Sequence, residues 1–113
     1  MTQILHITTI NDWETAVAAG EYRADSLASE GFIHCSTPEQ VLMPANAMFA
    51  GQPDLILLLI DPARLTAELV YEDCYESGHQ FPHIYGPLNL DAINGFVHFP
   101  PNPDGTFSLP SEL

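Results

Sequence analysis

The chain has no lysine and only two arginines, Arg23 and Arg64, against fifteen acidic residues, a formal net charge of −13. Basic side chains are what displace counterions from phosphates, so this balance argues against duplex nucleic acid and anionic membrane surfaces as partners. A small anionic ligand remains compatible with it, because local N–H groups and one arginine can outweigh a distant field. Long apolar runs are missing too. The longest, Leu55 to Ile60, is strand-sized, well short of the roughly 18 to 20 residues of a membrane helix. The first residues hold neither basic groups nor a long apolar region, so no signal peptide is expected and a cytoplasmic location is. Cysteine is scarce: Cys35 and Cys74, with no C-x-x-C, exclude a disulfide framework and fit a reducing compartment.

What is present is apolar enough to fold. Hydrophobic residues make up 46% of 113, which predicts one domain over 1–113 with a single core. That core is expected at about 3–99, followed by an irregular, proline-containing surface tail at 100–113.

Ile4 to Thr8 reads as the first strand. Asn11 with Glu14 three residues on reads as a capping-box helix start, and Gly20 as the residue that ends that helix. Glu21 to Glu30 is a polar connector with a helical turn near Leu27-Ala28. Phe32 to Ser36 is the second strand. A helix is expected from Pro38 to Ala50, with Thr37 as N-cap and Gln40 closing the box; Pro44 inside it should kink or split it. The unalternating run to Ile60 predicts a central strand buried on both faces. Strands are also expected at Leu65 to Glu72 and Gly95 to Phe99, a mobile loop over Asp73 to Phe81, and a short turn or 3₁₀ segment within Leu88 to Ile93. The later connections are too short for crossover helices. The fold class is therefore α+β: a mixed, mainly antiparallel sheet with two N-terminal helices.

Histidine carries the candidate chemistry, since it transfers protons near neutral pH. Alternation along strands puts His6 on one face with Ile4 and Thr8, and His34 on one face with Phe32 and Ser36. His83 and Tyr85 are likewise two apart. Three separate segments each offering polar groups point to one ligand cleft. The expected helix start beside Thr37 adds an anion site. His34 cannot readily activate Cys35, which faces the other way, and no G-x-S-x-G or P-loop occurs. Histidine and cysteine spacings do not form a zinc motif, and His79 and His83 are separated by Pro82. A carboxylate acid or base comes from Glu30, Glu72 or Glu76, with Glu72 at a strand end the least arbitrary choice. His98 is expected to be structural.

Ile4-Leu5-His6-Ile7-Thr8, Ser26-Leu27 followed by Glu30-Gly31-Phe32-Ile33-His34-Cys35-Ser36-Thr37, the run from Asp54 to Leu65, Tyr71-Glu72, and Phe81-Pro82-His83-Ile84-Tyr85-Gly86-Pro87-Leu88 resemble the bacterial domain of unknown function 952 family. The resemblance brings no established activity. It implies a fold similar to the ADP-ribosyltransferases, including the RNA 2′-phosphotransferases, which use NAD. By that resemblance His6 matches the ribose-contacting position of the first strand, and His34 and Ser36 the nicotinamide side. His83 or Tyr85 would take a third role, while a matching catalytic Glu is not identified. The scarcity of basic residues counts against an RNA substrate. The reading is a small nucleotide-like ligand, NAD, in a cleft where His34, Ser36 and His83 do chemistry and His6, Arg23, Thr37 and Tyr85 bind, for ADP-ribosyl transfer. Two alternatives remain: a non-catalytic metabolite-binding module of the same fold, and a metal-dependent enzyme using the histidines.

Overall fold

The structure, a computed structural model, describes residues 3–73 and 76–113. Eight strands alternate with three short helices: β1 (Ile4–Thr9), α1 (Ile10–Ala19), β2 (Glu21–Tyr22), α2 (Asp25–Ser29), β3 (Ile33–His34), α3 (Leu42–Met48), β4 (Leu55–Ile60), β5 (Glu68–Glu72), β6 (Phe81–Tyr85), β7 (Leu88–Asn89) and β8 (Ile93–His98). The class is α+β, and every strand pairing is antiparallel. One sheet has the order β1-β4-β8 and a second β3-β6-β5, with β2 and β7 forming a ribbon. A backbone bridge joins the two sheets, Leu5 N–H to Ser36 O at 2.7 Å and Ser36 N–H to Leu5 O at 2.8 Å.

The run Leu55 to Ile60 is central in its sheet, as its lack of alternation predicts. Its side chains divide by parity between two cores. Ile56, Leu58 and Ile60 join Ile4, Ile33 and Ile84 on one face, while Leu55 and Leu57 join Leu5, Val41, Ala45, Phe99 and Phe107 on the other. The second core is roofed by α3 and by the C-terminal tail. That tail has no helix or strand, but it is not wholly a surface segment: Phe107 is buried and stacked on Phe99, ring centroids 4.6 Å apart.

Several boundaries differ from the sequence reading for physical reasons. All three α-helices precede Ala50, where two were expected; the addition is the turn foreseen in the connector, regular enough to count as α2. Helix α1 starts at Ile10, not after Asn11, because β1 stays paired through Thr9, whose Oγ1 accepts from Asp12 N–H at 3.0 Å. Gly20 ends it as expected, at φ +87° with its N–H on Ala16 O. Helix α3 begins at Leu42 instead of Pro38. A helix running in from Pro38 would press the Pro44 ring against the Gln40 carbonyl. The chain makes turns through 38–41 instead, Gln40 O accepts from Met43 N–H at 3.0 Å, and Pro44 falls harmlessly in the first turn with no kink or split. Gln40 still reaches back, its Oε1 accepting from Thr37 N–H at 3.2 Å. Thr37 therefore caps no helix, and the expected anion site at a helix start is absent there. The second strand shortens to Ile33–His34 plus the bridge at Ser36, and the strand expected from Leu65 starts at Glu68, after a 3₁₀ turn at Pro62–Arg64. Leu90–Ala92 is the second 3₁₀ turn, inside the segment where one was expected. The loop read as mobile, Asp73 to Phe81, contains residues 74 and 75, and Cys74 with them lies outside the described residues. No described helix is long and apolar enough to cross a membrane.

Candidate active site

A cleft of about 1050 Å³ opens between α1, the segment 21–30, α3 and the strands carrying the histidines. Its polar floor includes His6, Thr8, Tyr22, His34, Ser36 and His83, and Met43, Pro44, Ala47, Met48 and Phe49 form an apolar wall. Met48 and Met43 are exposed there, 68% and 47%. Thioethers on such a wall adapt to irregular apolar ligand surfaces.

His6 is buried on the first strand. Its Nδ1 is 2.5 Å from His34 O and its Nε2 is 2.8 Å from the Tyr22 hydroxyl, which lies 2.9 Å from Thr8 Oγ1. A carbonyl only accepts, so Nδ1 carries the proton and Nε2 accepts from Tyr22. Burial holds the imidazole down at about 4, outweighing the His34 carbonyl bond, and burial pushes the Tyr22 hydroxyl up to about 12. Both groups are neutral at pH 7. With both ring nitrogens engaged, His6 fixes the floor and presents Tyr22 and Thr8 beside it.

His34 stands at the cleft surface, its Nε2 2.9 Å from Glu30 Oε2. This contact is built locally. Helix α2 ends with Glu30 N–H on Ser26 O, Gly31 turns the chain at φ +90°, and Ser26 Oγ donates to Phe32 O at 2.7 Å. The reversal brings Glu30 back over His34. A left-handed φ of this size suits glycine alone without cost.

His83 pairs with His34 across β3 and β6. Its Nδ1 is 2.9 Å from Glu72 Oε2, and the Tyr85 hydroxyl donates to the same oxygen. The Tyr85 bond first, then the His83 bond, hold the Glu72 carboxyl below its ordinary range. The His83 ring is stacked on Phe32 at 4.1 Å and 18°, and meets the edge of His34 at 5.3 Å. Ser36 is 5% exposed, and its hydroxyl makes no hydrogen bond to another described residue, so it is available to a ligand in the cleft.

Five of the seven residues singled out in the sequence thus meet in one cleft: His6, His34, Ser36, His83 and Arg23. Arg23 is at the rim, its Nε 2.5 Å from Glu21 Oε2. Thr37 and Tyr85 lie outside the lining. Tyr85 touches the site indirectly, through Glu72. His98 is exposed at the end of β8 against Phe96. Tyr22 was not among the candidates; as the one tyrosine of a polar connector it was visible, but its partners are 14 and 16 residues away with no pattern to announce them. Among the described residues no three or more His, Cys, Asp or Glu side chains are grouped to hold a metal ion.

The chain matches the family described as protein of unknown function (DUF952) over residues 7–96. It is similar to the crystal structure of Caulobacter crescentus protein CC0527, with 31% identity, 96% of this chain and 95% of that one covered, and a TM-score of 0.86. The solution NMR structure of the same protein gives 30% identity, 100% and 97% coverage, and a TM-score of 0.77. No curated protein matches. The chain belongs to the family of proteins of unknown function designated DUF952.

Proposed function

We infer that the cleft binds a nicotinamide nucleotide and that the protein is an ADP-ribosyltransferase-like transferase using NAD. The observation that carries this reading is the convergence of His6, His34, Ser36 and His83, from three separate segments, on one cleft of dinucleotide size. The residues present fit the nicotinamide-ribose half best. The Ser36 hydroxyl suits ribose, the face beside His34 suits a flat ring, and the carboxylates of Asp12, Glu21, Asp25 and Glu30 at the lining favour a cationic pyridinium. Among the described residues that line the cleft, Arg23 is the cation placed for a pyrophosphate.

When bound, NAD supplies an activated ribosyl carbon whose bond to nicotinamide breaks with the electron pair leaving on the ring nitrogen. The chain's own contribution is positioning and proton acceptance. Tyr22 and Thr8, held by neutral His6, fix the floor. Met43 and Met48 give the cleft an apolar wall on which a flat ring can pack. His34 takes the proton of the attacking group.

The four carboxylates favour a second reading, in which the same cleft holds a phosphate-free or cationic metabolite without turnover. Thermal-shift titrations with NAD, ADP-ribose, nicotinamide and nicotinamide riboside separate the two. At 100 times its dissociation constant a ligand stabilises the fold by about 2.7 kcal/mol. The leading reading expects a shift with NAD that His34→Ala abolishes and Arg23→Ala weakens, together with release of nicotinamide. A shift with the riboside alone selects the second reading, and no shift with any of the four overturns both.

A further inference from the structure

We propose that Glu30 is the positioning residue of the site: it fixes the tautomer of His34 so that the ring offers a lone pair on Nδ1. The role rests on the reading above, in which His34 accepts a proton. Three features of the structure converge. The carboxylate oxygen is 2.9 Å from His34 Nε2. Both residues line the cleft. The contact is also a product of architecture, because α2 ends on the Ser26 carbonyl and Gly31 at φ +90° turns Glu30 back toward the strand.

The chemistry follows from what each atom can do. An ionised carboxylate is acceptor-only, so the Nε2 of neutral His34 must carry the proton, and the lone pair then resides on Nδ1. The neighbouring ring is set the other way. His83 Nδ1–H donates a hydrogen bond to Glu72 Oε2, which places the lone pair of the neutral ring on Nε2. Two adjoining imidazoles, centroids 5.3 Å apart, are thus held in opposite tautomers by two different carboxylates. When His34 accepts a proton from a ligand, the charge it gains is stabilised by Glu30 at Nε2, and no proton needs to move to the carboxylate. Glu30 touches the ring and not the reacting atoms, which makes it a positioning residue.

The test is made on the unliganded protein first. Nitrogen-15 imidazole correlation spectra at pH 8 should show His34 with its proton on Nε2 and His83 with its proton on Nδ1. In Glu30→Ala the His34 signals should move to a tautomer mixture while those of His83 stay in place, and Glu30→Asp should restore part of the bias. Where NAD turnover is measured, Glu30→Ala should lower kcat on the order of tenfold or more with KM changed less than about twofold. A wild-type His34 protonated on Nδ1, or a His34 tautomer unaltered in Glu30→Ala, overturns the proposal. Absence of any NAD turnover in the wild type sinks the transferase reading instead, and the spectra still decide what Glu30 does.

Discussion

His6 Nδ1 lies 2.5 Å from the carbonyl oxygen of His34, so the first strand grips the second motif through an imidazole placed beside the Leu5–Ser36 bridge. This contact determines a pH dependence. The folded value of about 4 is below the ordinary 6.5 because burial disfavours the charged ring, so across that window the unfolded chain binds the proton and the folded one does not. The contribution is therefore complete above pH 6.5 and is lost as pH falls toward 4, to a limit of about 3 kcal/mol. Urea midpoints at pH 7.5 and 4.5 for wild type and His6→Asn check it. The asparagine variant should be weaker at pH 7.5 but lose less on acidification. Equal losses in the two proteins would remove His6 as the cause.

Tyr22→Phe isolates the other side of the same ring. The aromatic body stays in the core, but buried His6 Nε2 loses the one donor it has among the described residues. An orphaned buried acceptor costs about 1 to 3 kcal/mol, more than a hydrogen bond removed with both its partners. The expected result is a lower urea midpoint at unchanged m-value. Thr8→Val should cost less, since Tyr22 keeps His6 as its partner. If the order of the two reverses, the Tyr22–Thr8 contact is the more important one.

These two predictions mark what one strand pattern can and cannot carry. Alternation placed His6 with Thr8 and His34 with Ser36, and a strand without alternation identified β4 as central, because period-two geometry is a local property of the backbone. The Gly20 helix end was legible for the same reason. Tyr22 was not, because its value depends on meeting two residues from another element. The start of α3 was misplaced because a good cap at Thr37 competes with a proline six residues before Ala50, and the steric rule at Pro44 outweighs the capping bonds. The pairing of Glu30 with His34 had a trace in the sequence, the glycine between them, yet its meaning needs the sign of φ at Gly31.

Gly31→Ala measures that turn directly. A Cβ built there meets nothing within 4 Å, so the cost is backbone strain alone, about 1 to 2 kcal/mol for an L-residue held left-handed. The destabilisation should appear in urea unfolding, and the His34 ring signals should shift while those of His6 move little. A neutral substitution would mean that the reversal relaxes to negative φ without disturbing the site.

Phe107→Ala tests whether the C-terminal segment belongs to the core. Its ring is 4% exposed and stacks on Phe99 at 23°, and its N–H donates to Asn46 Oδ1 at 2.7 Å. A second tie holds the same face, Gly51 N–H to Gly105 O at 2.8 Å. The sheet face that carries Leu55 and Leu57 is also roofed by α3, a helix of seven residues and too short to be stable without packing. Removing a buried phenyl ring costs about 3 to 5 kcal/mol where the cavity cannot collapse, a large part of the roughly 5 to 15 kcal/mol that holds a domain together. The variant should unfold at a much lower urea concentration, and amide exchange in α3 should accelerate before that in β4. Since α3 supplies the Met43 and Met48 wall, ligand-induced stabilisation should also shrink in Phe107→Ala while Asn46→Ala, which keeps the ring, retains most of it. A cost under about 1 kcal/mol would place the tail outside the core and detach it from the cleft.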